Sequence, residues 1–146
     1  VDKVLSFFNN DLKGKTFAIW GLSFKPNTDD MREAPSILII NKLLELGAKI
    51  NAYDPAAIET SKYYFKDKIN YTKNEYDALK KADALLILTE WNECRNPDFD
   101  LIRENLKTPV IFDGRNIFPL DKIEELGFNY FSIGRIPILQ KEKKMS

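Results

Sequence analysis

Short, purely apolar runs alternate with longer amphipathic stretches along almost the whole chain, and this rhythm restricts the fold more than any other feature. Ala84-Leu85-Leu86-Ile87-Leu88 is the strongest run, five apolar residues with no polar alternation, the pattern of a strand buried on both faces. Thr16-Phe17-Ala18-Ile19-Trp20, ended by Gly21, reads the same way. Further strands are expected over 48–53, 69–71, 109–112 and 130–133, the last at a sheet edge. Helical stretches lie between them. Pro35 suits a first helical position because its missing N–H would be unpaired there, Ile37, Ile40 and Leu44 recur at helical spacing, and Gly47 supplies a stop. Helices are likewise expected over 57–65, 73–81, 99–106 and 120–126. Strand, helix, strand in this order requires right-handed crossovers between parallel strands. The fold class is therefore α/β, a doubly wound, mostly parallel sheet with helices on both faces.

At 146 residues the chain is the size of one domain with a core of its own. Its 22 basic and 22 acidic residues cancel, which removes the main argument for nucleic-acid or membrane-surface binding. The absence of histidine excludes histidine metal sites and histidine-dependent triads within the chain, and one cysteine, Cys94, allows neither an internal disulfide nor a cysteine cluster for zinc. A reducing, cytoplasmic setting follows from that cysteine usage. The aliphatic runs are too short to cross a bilayer. Val1-Asp2-Lys3-Val4 has neither a signal-peptide pattern nor an initiator methionine, so the expectation is a piece of a longer protein. Residues 1–12 would be the end of a helix and linker from an upstream domain, 13–138 the domain proper, and 139–146 a frayed tail.

In doubly wound sheets ligands bind beyond the carboxyl ends of the strands, where strand order reverses. That rule selects the loops 21–34, 54–57, 89–97 and 113–118. The first argues against a simple dinucleotide site. A Rossmann G-x-G-x-x-G would bring backbone amides to a pyrophosphate, whereas Gly21-Leu22-Ser23-Phe24-Lys25-Pro26 has one glycine. Phosphate would have to be met by side chains: Lys25, Arg32 and, at the end of a later strand, Arg115 beyond the flexible Gly114. Phe24 would supply an apolar wall for a base or sugar.

A second reading stands beside this one. Lys25 and Arg32 share their loop with Asp29, Asp30 and Glu33, two cations against three acids, so salt bridges within the loop would also account for all five. Asp54 is either a ribose ligand or simply the start of an Asp-Pro turn. Cys94 has Arg95 beside it but no histidine base, which favours inert packing over nucleophilic chemistry, and Trp91 reads as core or rim packing.

The run Gly21-Leu22-Ser23-Phe24-Lys25-Pro26-Asn27-Thr28-Asp29-Asp30-Met31-Arg32-Glu33-Ala34-Pro35-Ser36 resembles the signature of the C-terminal domain in the UDP-glucose/GDP-mannose dehydrogenase family, in its UDP-glucose 6-dehydrogenase form. Ala52-Tyr53-Asp54-Pro55, Thr89-Glu90-Trp91, Asp113-Gly114-Arg115-Asn116, Gly127-Phe128 and Ile133-Gly134-Arg135 follow in order, so the resemblance covers nearly the whole chain. It implies a three-part enzyme with an N-terminal domain for NAD, a central helical region that forms a homodimer or higher homo-oligomer and carries the catalytic cysteine, and a C-terminal domain for UDP. The full enzyme would oxidise the C6 alcohol of UDP-glucose to a carboxylate in two NAD-dependent steps through a thiohemiacetal and a thioester. By the same resemblance Phe24, Lys25 and Arg115 contact the UDP-sugar, and Arg32 reaches toward the NAD pyrophosphate across a cleft. Cys94 stands where the family commonly has an aromatic or apolar residue, so the chain alone lacks the nucleophile and would not catalyse. Alternatives are the same domain serving GDP-mannose or UDP-N-acetylmannosamine, and a non-catalytic α/β interaction module.

Overall fold

The computed structural model describes residues 1–140. The expected frayed tail thus falls largely outside the described residues. Six strands, β1 (Thr16–Trp20), β2 (Lys49–Tyr53), β3 (Asn70–Tyr71), β4 (Ala84–Ile87), β5 (Val110–Asp113) and β6 (Asn129–Ser132), form one sheet. Their order is β3-β2-β1-β4-β5-β6 and every neighbouring pair is parallel. The helices are α1 (Asp2–Phe7), α2 (Pro35–Glu45), α3 (Ile58–Phe65), α4 (Glu75–Leu79), α5 (Phe99–Asn105) and α6 (Leu120–Glu125). The doubly wound α/β reading holds. Strand order reverses between β1 and β4, so the loops after those two strands diverge there.

Both faces of the sheet are covered, which is why the strands read as continuous apolar runs. One face presents Phe17, Ile19, Ile50, Leu86 and Phe112 to Ile40 and Leu43 of α2 and Phe65 of α3. The other presents Ala18, Trp20, Leu85, Ile87, Ile111 and Tyr130 to Ala78 and Leu79 of α4, Ile102 of α5 and Ile123 of α6. All four residues of β4 are buried.

The crossover helices α2 and α3 connect β1, β2 and β3, which leaves the same face of β5 and β6 to another element. α1 fills that place. Phe7 meets the rings of Phe112 and Phe131 edge-on at 6.1 and 5.7 Å, those two rings stack at 5.0 Å, and the Lys3 ammonium donates to the Ser132 carbonyl. Val4 and Leu12 are buried in the same cluster, about 2 kcal/mol of apolar burial each. The amphipathic start of the chain is thus one layer of this domain.

Element ends differ from expectation where side chains intervene. The helix expected over 73–81 is confined to Glu75–Leu79, because the Asn74 side chain caps it by accepting from the Asp77 N–H at 2.9 Å and the backbone turns at Lys81, φ +60°. At the far edge, residues beyond β6 fold back. Tyr130 and Ile138 exchange both backbone hydrogen bonds at 2.9 Å, and Gln140 bonds Asn129 and Phe128, so the β6 edge is not left bare.

Candidate functional site

The ends of β1 and β4 approach so closely that only glycine fits between them. Gly21 has φ +99°, and a Cβ there would lie 2.5 Å from Thr89 Cβ and 2.6 Å from the Thr89 nitrogen. Across this contact the Thr89 hydroxyl donates to the Ser23 carbonyl at 2.7 Å. Ser36, at the start of α2, donates to the Leu22 carbonyl at 2.6 Å, and the Phe24 N–H donates to the Asp30 carbonyl at 2.7 Å. The loop 22–34 is therefore tied at its base and across its middle, although it carries the left-handed non-glycine residues Asn27 and Glu33.

Asp54, at the end of β2, is the main tie. Its side chain is buried and accepts five N–H groups: Leu22 (2.7 Å), Ser23 (3.0 Å), Ala56 (2.8 Å), Ala57 (2.8 Å) and the Trp91 indole (3.2 Å). Its carboxylate thus joins the loops after β1, β2 and β4. Of the two readings of Asp54, the turn is the one this geometry supports, since both oxygens are already engaged by the protein.

Asp113 does the same for the loop after β5. It accepts from the Arg115 N–H at 2.9 Å, the Ile117 N–H at 2.7 Å and the Tyr130 hydroxyl at 2.5 Å. Tyr130 in turn accepts from Arg135 at 2.9 Å, and burial followed by that short contact with Asp113 pushes its phenol well above the ordinary tyrosine range. Arg135 also bonds Ser132 and the Phe118 carbonyl, so its guanidinium is committed to structure.

On this frame sit the expected site residues. Phe24 is 43% exposed at the loop tip, with Lys25 beside it and exposed. Among the described residues Lys25 makes no ion pair, so the loop-internal salt-bridge reading does not account for it. That reading does describe Arg32, whose Nε and Nη2 bond both oxygens of Asp30 at 3.1 and 3.0 Å on the open surface. The pairing holds the Asp30 carboxyl down at about 2. Arg115 lies beyond Gly114 on the same sheet edge, and its Nε donates to Glu90 Oε1 at 2.8 Å, with both side chains about one-third exposed. Burial alone would raise the Glu90 carboxyl, but its own backbone N–H and Arg115 together hold it below the usual carboxylate range.

Trp91 and Cys94 are packing residues, as expected. Trp91 is buried with its N–H on Asp54. Cys94, in a short 3-10 turn over Asn92–Cys94, is fully buried, and desolvation followed by neighbouring acids pushes its thiol up to about 12. No thiolate nucleophile is available from it at neutral pH.

The chain matches the family model for the UDP-glucose/GDP-mannose dehydrogenase family, UDP binding domain, over residues 18–120. The chain belongs to this family. A UDP-glucose 6-dehydrogenase of Rhizobium meliloti is 42% identical over 133 residues, 91% of this chain and 30% of that protein. UDP-glucose 6-dehydrogenase YwqF of Bacillus subtilis is 44% identical over 135 residues, 92% of this chain and 30% of that protein. Among solved structures, a UDP-glucose dehydrogenase from Pyrobaculum islandicum superposes with a TM-score of 0.72 at 29% identity, covering 88% of this chain and 27% of that one. An NDP-N-acetyl-D-galactosaminuronic acid dehydrogenase from Methanosarcina mazei gives 0.76 at 26% identity, covering 92% and 27%. This chain therefore spans about a third of the length of these relatives and corresponds to the UDP-binding domain of the family.

Sequence reasoning missed Glu90 and Asp113 as the partners of Arg115, and Thr89 and Asp54 as the ties of the first loop. Each sits inside a run quoted for the resemblance; Asp113 lies two residues from Arg115 in the same run, whereas the partners of Glu90, Thr89 and Asp54 lie 25 or more positions away and no local signal names them.

Proposed function

We propose that this domain holds the UDP part of UDP-glucose in an NAD-dependent UDP-glucose 6-dehydrogenase. The observation that carries the reading is the state of the two cations at the sheet edge. Lys25 makes no salt bridge among the described residues, although Asp30 feels its charge, and Arg115 spends only its Nε on Glu90, leaving the paired Nη groups without a protein acceptor there. An ammonium without a salt bridge and an anchored guanidinium with its Nη groups unspent suit a diphosphate, one as a point charge and the other as a fork. Phe24 offers its exposed ring to the sugar or base. Held through the remote nucleotide, the sugar is positioned for oxidation by residues outside this chain, so binding energy spent here appears as orientation there.

This sheet's own crevice does not fit NAD. Gly21 is in contact distance of Thr89, no second glycine opens an amide cradle, and Asp54 has no lone pair left for a ribose hydroxyl. NAD accordingly belongs to the rest of the protein, with Arg32 as this domain's contribution once its exposed pair with Asp30 opens toward the pyrophosphate. That remainder would be an upstream NAD-binding and dimerising part continuing from α1, and the complete protein a cytoplasmic homodimer or higher homo-oligomer. Within the described residues no helix is long and apolar enough to cross a membrane.

Calorimetric titration of the full-length protein with UDP and UDP-glucose tests the proposal. Lys25→Ala and Arg115→Ala should each weaken binding roughly ten-fold or more, the worth of a charge-assisted hydrogen bond. Unchanged affinity in the double variant would refute the site. A second reading, a nucleoside diphosphate carrying an N-acetylated sugar, is supported by the likeness to the Methanosarcina mazei enzyme. A panel of nucleotide sugars that varies the sugar and the base distinguishes the two, since both place a diphosphate on Lys25 and Arg115.

A further inference from the structure

Glu90 offers a carboxylate beside the cation that the proposed site needs for a phosphate, an arrangement that would weaken the site if Glu90 merely neutralised Arg115. The geometry indicates a different role. Glu90 takes one N–H of the guanidinium, the Nε, at 2.8 Å on its side edge, which leaves the end between the two Nη groups without a protein acceptor. The backbone of Arg115 is pinned separately by Asp113 at 2.9 Å, so the side chain is held at both ends. Glu90 is itself mounted rigidly, because Thr89 before it is tied to the Ser23 carbonyl at 2.7 Å and Trp91 after it to Asp54 at 3.2 Å. The first tie holds the loop that carries Lys25 directly, and the second reaches it through Asp54, which accepts the Leu22 and Ser23 N–H groups. One three-residue segment therefore fixes the first loop with its outer members and aims Arg115 with its middle one.

We infer that Glu90 is a positioning residue, which orients the Arg115 guanidinium so that its Nη groups face a diphosphate in register with Lys25. The inference rests on the UDP-site reading above, and its test separates the two. A freely rotating arginine would have to be ordered on binding, at a cost the ion pair has already met in the free protein. The charge of Glu90 opposes phosphate at longer range, but fixing the fork outweighs it when the carboxylate touches only Nε.

The experiment is a double-variant cycle in the full-length protein with UDP as the titrant, over Glu90→Ala, Glu90→Gln, Arg115→Ala and the combination of Glu90→Ala with Arg115→Ala. Glu90→Ala should weaken UDP binding about five-fold, the scale of one net hydrogen bond, and Glu90→Gln, which keeps an acceptor oxygen, by less. In the Arg115→Ala background Glu90→Ala should have no further effect, whereas a merely structural role would leave its effect intact. Tighter UDP binding by Glu90→Ala, unchanged binding, or an effect that persists without Arg115 would overturn the inference. If Arg115→Ala itself leaves UDP affinity unchanged, the UDP-site reading fails as well.

Discussion

Replacing Asp54 by alanine should unfasten three loops at once, and the size of the effect can be worked from its five donors. Four of them, the N–H groups of Leu22, Ser23 and Ala57 and the Trp91 indole, lose a buried partner, while Ala56 is exposed and can turn to solvent. The vacated space suits a water molecule, which would satisfy one or two donors again. Two or three then remain unpaired at about 1–3 kcal/mol each, so the net loss is about 4 kcal/mol. For a domain of this size that corresponds to a fall in midpoint of roughly 8–16 °C. Asp54→Asn keeps one acceptor but turns an NH₂ toward N–H donors, and should cost about half as much. Urea or thermal unfolding followed by tryptophan fluorescence is a suitable assay, because the Trp91 indole is one of the released donors. Asp30→Ala, which removes an exposed acid from the same loop, should leave the midpoint unchanged. A midpoint for Asp54→Ala within 2 °C of the parent would refute the claim that this carboxylate holds the loops.

Other outcomes follow from the same geometry. Gly21→Ala forces a Cβ against Thr89 at a φ of +99° and should cost about 3 kcal/mol, read as a lower unfolding midpoint together with weaker UDP binding, since the Thr89 tie to Ser23 is displaced. Cys94 should resist a chromogenic thiol reagent at pH 8 in the native protein, yet release one equivalent on denaturation. Because the folded state holds the Cys94 proton up to about pH 12 against an ordinary value of 9.0, its contribution to stability is complete below pH 9.0 and declines as pH rises from there toward 12. Unfolding midpoints of Cys94→Ala across that interval should lack this part of the alkaline loss.

How much of the site was legible depends on how far apart its parts are in the chain. The placement of Arg115 and Lys25 was readable because the end of a buried strand followed by glycine or a long polar loop marks the ligand edge of a parallel sheet. The turn role of Asp54 was half readable: its bonds to Ala56 and Ala57 are local turn chemistry, whereas those to Leu22, Ser23 and Trp91 cross 31 to 37 positions. The pair Arg32–Asp30 lies two residues apart and was among the salt bridges expected of that loop. Glu90 stands 25 positions from Arg115 and was not seen.

By itself the order of residues determined the layers. Runs such as Ala84 to Leu88 can be stable only when both faces are covered, and helices between parallel strands are the way to cover them. The tertiary structure alone decided which charges were spent and which were left. Strand order reverses between β1 and β4, which brings the ends of three distant loops together, and there the buried aspartates take up the backbone donors. It also decided the fate of the first residues: α1 lies on β5 and β6 because the crossover helices leave the apolar rings Phe112 and Phe131 open to water, and Phe7 closes that gap from more than a hundred positions away.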